Sequence, residues 1–408
     1  VVVVAGKGNN GADGRAAAAR LRRRGVRVEV VDAADPPPVL PRSDLVVDAA
    51  YGTGFRGEYH APDPAGAPVL AVDIPSGVDG LTGAAGGEPV RADRTVTFAA
   101  LKPGLLLGEG FRCSGTVTVA DIGLDTSPAT AWVVEQPDLR AWLPPRSRES
   151  HKWTTALYVV AGSAGMIGAA NLCSRAAMRA GAGTVRLAVP GVPPSPVFLE
   201  VVGRTVPATG WGDAVLADIA RVKALAVGPG LSRLDDTRES VRHLLTGAEV
   251  PTVVDADGLY ALRTADEAAE VLRAPVRAEH GTVLTPHDGE FARLAGSKPG
   301  PDRLGATRDL ANRTGATVLL KGSTTIVADP DGSTFFSTAG DARLATAGTG
   351  DVLTGVIGAF LAQGLDPLRA AALGAFVHGA AGHLGWRRGL VAGDLLDALP
   401  AVLNREDR

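Results

Sequence analysis

The run Ala347-Gly348-Thr349-Gly350-Asp351, set directly before the apolar stretch Val352–Ala362, holds the residues best suited to chemistry. Glycines let a backbone come close to a phosphate, and the start of a helix offers it unpaired N–H groups. An aspartate at that edge can take a proton from an attacking hydroxyl while the N–H groups neutralise charge on a phosphoryl group in transfer. An ordinary aspartate in the first turn of a helix presents the same pattern. The motif points to phosphoryl transfer and leaves the substrate open.

Other turns in the same part of the chain carry polar groups. They are His151-Lys152, Gly162 to Ala170, Gly181-Ala182-Gly183, Gly228-Pro229-Gly230-Leu231, Asp255-Ala256-Asp257, Thr285 to Glu290, and Lys321-Gly322-Ser323-Thr324-Thr325. Each has a plainer reading. His287 can be a surface hydrogen-bonder, Lys321 a solvated strand end, and His378, inside the apolar stretch Ala371–Gly382, a packed helix histidine.

Near the start, Gly6-Lys7-Gly8-Asn9-Asn10-Gly11 matches G-x-G-x-x-G between an expected strand and helix, and Asp32 ends the next strand. A dinucleotide-binding dehydrogenase is one reading. Asp13 opposes it, because a pyrophosphate at a helix start needs positive potential. The amides of Asn9 and Asn10 suit a hydroxylated ligand or a cation. Two more loops, Asp48–Arg56 and Asp73–Asp79, also follow strands. Loops after parallel strands gather at one sheet edge, so Asn10, Asp48 and Ser76 could converge as oxygen ligands for a hard cation. Alternatively, Asp48 and Asp73 cap helices or turns.

The ordered strings GNNGADG, VDAAYGTGFRG, DIPSGVDGLTG and ADRTVTFAALKPGL resemble the NAD(P)H-hydrate epimerase domain over nearly all of Val1–Leu124. The turns from His151 to Asp351 are similar, in order, to the ADP-dependent NAD(P)H-hydrate dehydratase family over roughly His151–Leu403. Together they resemble a bifunctional NAD(P)H-hydrate repair enzyme. The resemblance implies that Asn9, Asn10, Gly11, Ala12 and Asp13 contact substrate, with Gly52, Thr53, Gly54, Phe55, Arg56, Gly57 and Glu58. It makes Asp73 catalytic and gives potassium (K+) to Asn10, Asp48 and Ser76. In the second domain it makes Asp351 catalytic. Gly230, His287, Asp288, Gly289, Glu290 and Arg293 line the substrate pocket. ADP, with Mg2+, goes to Lys321, Gly322, Ser323, Thr324, Thr325, Gly348, Thr349 and Gly350. The implied reaction is dehydration of the S hydrate, with R and S hydrates interconverted by the first domain.

The chain departs from the family at Ala12, Trp153 and Gly258 (a second glycine, a glycine and an alanine in the pattern), and Tyr260 stands in place of an asparagine. The methyl of Ala12, and a helical segment expected ahead of the first strand, lead us to expect impaired epimerisation and further residues upstream of Val1. A ribokinase-like small-molecule kinase and a non-catalytic dinucleotide sensor are the rival readings.

These motifs need a scaffold of alternating strands and helices. Apolar runs predict strands at Val1–Ala5, Val26–Val31, Leu45–Ala49, Val69–Val72, Thr95–Phe98 and Thr116–Val119, with a helix over Asp13–Arg24. The same alternation resumes with strands at Leu157–Val160, Thr184–Val189, Ala224–Val227, Pro251–Val254, Thr282–Leu284 and Thr317–Leu320. Its helices are expected at Ile167–Ala180, Asp235–Leu245, Arg303–Thr314, Asp351–Ala362 and Pro367–Gly382. Short buried runs separated by helices predict largely parallel α/β sheets. The expected fold is a Rossmann-like three-layer domain (1–124), a proline-rich linker (125–150) and a ribokinase-like domain (151–408). At 408 residues two cores are natural. A net charge of −3, with no basic run longer than Arg22-Arg23-Arg24, argues against nucleic acid. Cys113 and Cys173 lie far apart, which fits a reducing cytoplasm, and no apolar run is long enough to span a membrane. A homo-oligomer is the expected assembly.

Overall fold

The computed structural model describes residues 1–193 and 200–405, so 194–199 and the last three residues of the expected second domain lie outside it. The chain forms two compact units, Val1–Ala129 with Pro301–Leu304, and Thr130–Gly300 with Gly305–Arg408.

The first unit is built on a six-stranded sheet. Its strands run in the order Glu29–Asp32, Val2–Ala5, Val46–Ala49, Val69–Val72, Arg94–Phe98 and Thr116–Ala120. Every pairing is parallel. Val2–Ala5 and Val46–Ala49 are buried along their whole length, as continuous apolar runs between two covered faces require. On one face Val3, Ala5 and Val47 pack with Ala18 of the helix Asn9–Arg23. On the other, Val2, Val4, Val46 and Val69 pack with Leu40, Tyr59, Ala67 and Val90, which come from connecting segments and a short two-stranded ladder.

The first helix starts at Asn9, four residues before the expected position. Asn9 and Asn10 thus occupy its first turn, and Asp13 lies exposed further along. The glycine pattern explains this early start. A Cβ on Gly11 would stand 1.8 Å from the Gly6 carbonyl oxygen, so the helix and the strand end approach more closely than a side chain allows.

The second unit has a ten-stranded sheet. The order is Val201–Arg204, Thr184–Ala188, Ala156–Val160, Ala224–Val227, Thr252–Val254, Thr282–Leu284, Thr317–Leu320, Thr325–Ala328, Thr334–Ser337 and Ala131–Val133. The first seven strands are parallel to one another, and Thr325–Ala328 and Thr334–Ser337 add antiparallel pairings. One face is covered by helices Ile167–Arg179, Thr349–Ala362, Pro367–Leu384 and Ala392–Leu403. Helices Asp235–Gly247, Asp257–Leu262, Ala265–Leu272, Asp288–Ala295 and Arg303–Thr314 contribute to the core on the other.

The 125–150 stretch differs from the linker expected there. Ala131–Val133 pairs in parallel with Thr334–Ser337, and Gln136–Trp142 is a helix opened by a reciprocal Glu135–Asp138 cap. Leu139 of that helix is buried in the second unit's core. Pro128, Pro144 and Pro145 lie outside these elements, and Pro137 sits in the first turn of the helix, where a proline is tolerated.

Candidate functional sites

In the second unit, Asp255 follows the strand Thr252–Val254 and is buried, 1% exposed. A buried carboxylate needs compensation, and three groups provide it. Lys321 Nζ stands 2.7 Å from Oδ1, the Thr285 hydroxyl donates to Oδ1 at 2.8 Å, and the Thr354 hydroxyl donates to Oδ2 at 2.8 Å. Burial works against the Lys321 ammonium, but Asp255 and Glu290 outweigh it and hold its pKa above the ordinary lysine value. The loop after one strand, the loop after another and the helix Thr349–Ala362 are thereby tied to one carboxylate.

That helix begins above the pair. Gly348 adopts φ +90 at the N-cap, a conformation that favours glycine, and a Cβ built on Gly350 would sit 3.5 Å from Lys321 Nζ. Thr349 donates its hydroxyl to the carbonyls of Leu344 and Thr346, which folds the preceding loop against the helix start. Asp351 is in the first turn, and its carboxylate accepts no hydrogen bond from a described residue. Burial first, then the nearby Asp255 charge, push its pKa up to about 6, with Lys321 opposing. A carboxylate so poised can accept a proton near neutral pH.

The Thr285–Glu290 segment adjoins this centre, since the Lys321 N–H donates to the Pro286 carbonyl at 2.9 Å. His287 is the N-cap of helix Asp288–Ala295. Its Nδ1 accepts from the N–H groups of Gly289 and Glu290, and Glu290 accepts in return from the His287 N–H. Capping thus fixes the imidazole while it also lines a cavity of about 170 Å³ with Gly289, Glu290, Arg293, Tyr260 and Arg233. Gly230 has φ +65 and accepts at its carbonyl from the Ser163 hydroxyl. Gly322 and Ser323 are exposed, Thr324 is buried, and Thr325 opens a strand. His378 is buried with its Nε2 unpartnered, and burial pushes its pKa down to about 4, as befits a packed neutral imidazole.

In the first unit, Asp73 follows the strand Val69–Val72 with φ +69, a conformation a non-glycine residue seldom adopts. Its Oδ1 accepts from Lys102 Nζ at 2.6 Å, from Thr97 at 3.2 Å and from the Phe98 N–H at 3.3 Å. Asp48 is buried and accepts from the Ser76 hydroxyl at 2.6 Å, the Ser76 N–H at 2.8 Å and the Ala50 N–H at 3.3 Å. Burial nevertheless pushes it up to about 6. Asn10 donates its amide to the Val72 carbonyl, which leaves Oδ1 buried without a partner. Gly52 lies against the Asn10 side chain, whereas Thr53, Gly54, Arg56, Gly57 and Glu58 are exposed and Phe55 is half-buried against Tyr51. Ala12 is exposed, whereas Gly11 is pressed against the Gly6 backbone.

Asp255, Thr285, Thr354 and Lys102 were not among the sequence-derived site residues. Thr354 is a polar residue in an otherwise apolar helix, a signal that could have exposed it. Lys102 lies 29 residues from Asp73 in a loop and carries no such local sign.

The mainly parallel sheet with a buried acid–lysine pair under a glycine-rich helix start gives the second unit a ribokinase-like fold, and the first unit is Rossmann-like. Comparison agrees. Residues 157–402 match the family model for NAD(P)H-hydrate dehydratase, and residues 1–41 and 32–104 match that for the YjeF-related protein N-terminus. The bifunctional NAD(P)H-hydrate repair enzyme Nnr of Moorella thermoacetica is 38% identical, with 99% of this chain and 87% of that protein covered. Its counterpart in Mycobacterium tuberculosis is 40% identical over 91% of this chain and 80% of that one. The ADP/ATP-dependent NAD(P)H-hydrate dehydratase of Bacillus subtilis, co-crystallised with ATP/Mg2+, is 33% identical with a TM-score of 0.56, covering 66% of this chain and 96% of that chain. A ribokinase-like superfamily protein from Enterococcus faecalis, 19% identical with a TM-score of 0.57, covers 69% of this chain and 98% of that one and shares the fold. The chain belongs to the family of bifunctional NAD(P)H-hydrate repair enzymes.

Proposed function

We propose that this chain restores hydrated NADH and NADPH, dehydrating the S hydrate at the expense of ADP and interconverting the R and S forms. The observation that carries the reading is Asp351, a carboxylate without a hydrogen-bond donor among the described residues, at a glycine-rich helix start beside the Asp255–Lys321 pair. Hydroxide leaves poorly and phosphate leaves well. Asp351 takes the proton of the C6 hydroxyl, whose oxygen attacks the β-phosphoryl of ADP. The bond to the bridging oxygen breaks and AMP departs. Loss of a proton from C5 then expels phosphate from C6 and forms the C5–C6 double bond. The N–H groups of the first helical turn and the Lys321 ammonium face the charge that develops on the phosphoryl oxygens.

The relative co-crystallised with ATP/Mg2+ supports a nucleotide and Mg2+ here too. Among the described residues no three His, Cys, Asp or Glu side chains form a metal cluster, and Asp255 is engaged by its three donors, so no protein cage for Mg2+ is assigned. Mg2+ commonly keeps waters and binds through phosphates, neutralising their charge. ADP is assigned to Lys321–Thr325 and Gly348–Gly350, and the hydrate to Gly230, His287–Glu290 and Arg293.

For epimerisation, Asp73 and Lys102 supply an acid–base pair: the C6 hydroxyl gives up its proton as the C6–N1 bond breaks to an open-chain aldehyde and N1 gains a proton, and re-closure on the other face of the carbonyl, with the protons returned, gives the other epimer. The buried, unpartnered Asn10 Oδ1, with Asp48 and Ser76, fits K+, which supplies fixed positive charge to that edge when bound. Among the described residues no helix is long and apolar enough to cross a membrane; a cytoplasmic homo-oligomer completes the proposal. The test is to incubate the chain with hydrated NADH and ADP. Dihydronicotinamide absorbance should return with stoichiometric AMP and phosphate. Preference for ATP with a retained phosphorylated product would instead establish a kinase.

A further inference from the structure

Tyr260 stands where the family pattern has an amide, and the structure surrounds it with positive charge. The Arg293 guanidinium lies 4.2 Å from the centre of its ring and that of Arg233 lies 4.9 Å away. Two cations sharing one aromatic ring repel each other, and each gains only modest attraction from the ring. Only one is neutralised. Arg233 Nε pairs with Asp257 Oδ1 at 3.0 Å, whereas Arg293 has no hydrogen-bond or ion-pair partner among the described residues. Asp257 also accepts from the Ser232 N–H at 2.9 Å, so the carboxylate that holds Arg233 is itself fixed.

Both arginines line the 170 Å³ cavity with Tyr260, His287 and Glu290. That volume is below the range of a pocket enclosing a whole small ligand, so it suits one end of an extended molecule. Glu290 is the acidic side chain in the lining, and the segment that carries it meets the Asp255–Lys321 pair where the Lys321 N–H donates to the Pro286 carbonyl. The cavity therefore adjoins the reaction centre on one side and offers guanidinium N–H groups on the other. Guanidinium groups bind phosphate through paired hydrogen bonds, and they do so far better than they bind a hydroxyl.

We propose that Arg233 and Arg293, placed by Tyr260, bind the ribose phosphate that distinguishes hydrated NADPH from hydrated NADH, and so make this chain prefer the phosphorylated substrate. The inference rests on the dehydratase reading above. Tyr260 serves as a positioning residue: its ring is the shared neighbour of the two guanidiniums.

The experiment measures kcat/KM for both hydrates with ADP saturating, in the wild type and in Arg233→Met, Arg293→Met and Tyr260→Asn. The wild type should favour hydrated NADPH by about tenfold or more. Either arginine variant should reduce that ratio at least about fivefold, through KM rather than kcat, and rising salt should reduce it further in the wild type than in the variants. Tyr260→Phe should keep the ratio and Tyr260→Asn should lower it. An equal loss on both hydrates would place the arginines on the shared pyrophosphate and overturn the inference, as would an unchanged ratio. Calorimetric titration of NADP+ and NAD+ keeps the two proposals apart. If neither hydrate is turned over yet Arg293 still favours NADP+, the dehydratase reading falls and phosphate recognition stands. If NADP+ and NAD+ bind alike, phosphate recognition falls.

Discussion

Lys321 Nζ lies 2.7 Å from Asp255 Oδ1, and the carboxylate it faces is almost wholly removed from water. From the sequence, Lys321 reads as a nucleotide contact or a solvated strand end; the structure makes it the counter-charge of a buried acid. Lys321→Ala should therefore weaken ADP binding and, in addition, destabilise the unit by about 3–5 kcal/mol, the usual effect of stranding a buried charge. Urea unfolding measures the second effect. A variant that loses nucleotide affinity at unchanged stability would show that Thr285 and Thr354 suffice for Asp255.

Asp351→Asn should slow dehydration by roughly 10²–10⁴-fold, because an amide cannot accept the proton. The same change should raise stability. Burial lifts the Asp351 pKa from 3.8 to about 6, so the folded chain binds more protons than the unfolded one between those values. Ionised Asp351 thus opposes folding, least below pH 4 and fully above about pH 6. Thermal unfolding of the two proteins should coincide near pH 3.5 and diverge up to pH 7, and dehydration should rise with pH through about 6. Parallel melting curves at every pH would contradict this account of the carboxylate.

Lys102→Met should depress epimerisation by about 10²-fold while dehydration of the S hydrate stays unaltered, since among the described residues the Lys102 ammonium hydrogen-bonds to Asp73, Thr97 and the Phe98 carbonyl, all in the first unit. Lys102→Arg should not rescue it, because a planar fork does not replace a compact ammonium. Following R-to-S conversion by chromatography with both variants decides the matter; comparable losses in both activities would remove Lys102 from the epimerase chemistry.

Gly11 and Ala12 should behave in opposite ways. Gly11→Ala forces a Cβ to within 1.8 Å of the Gly6 carbonyl and should destabilise the first unit by about 3 kcal/mol or more. Ala12→Gly acts on an exposed helix position and should cost about 0.5–1 kcal/mol without accelerating epimerisation. Faster turnover in Ala12→Gly would show that the methyl crowds the substrate.

Central strands were legible because burial on both faces demands apolar runs: Ala224–Val227, Thr282–Leu284 and Thr317–Leu320 stand where the pattern placed them. Val201–Arg204, Thr325–Ala328, Thr334–Ser337 and Ala131–Val133 were missed, and they lie toward the ends of the same sheet, where mixed polar sequence is tolerated. Motif residues at the helix start were readable for a local reason, the glycine that permits φ +90 beside Asp351. The Asp255–Thr354 bond spans 99 residues and follows only from the packing of the helix over the sheet.

The three-residue strand Ala131–Val133 ends the ten-stranded sheet, with Trp132 set 5.5 Å from Phe335. An outermost strand with unpaired N–H and C=O groups invites pairing with other chains, and proteins guard against it with short, shielded edges. A dehydratase fragment cut at His151 would lose this guard and leave Thr334–Ser337, with its two phenylalanines, open to association. One cut at Thr130 would keep it. Where the two halves of this enzyme are severed thus governs whether the isolated second half stays monodisperse, a difference that light scattering on the two fragments would reveal.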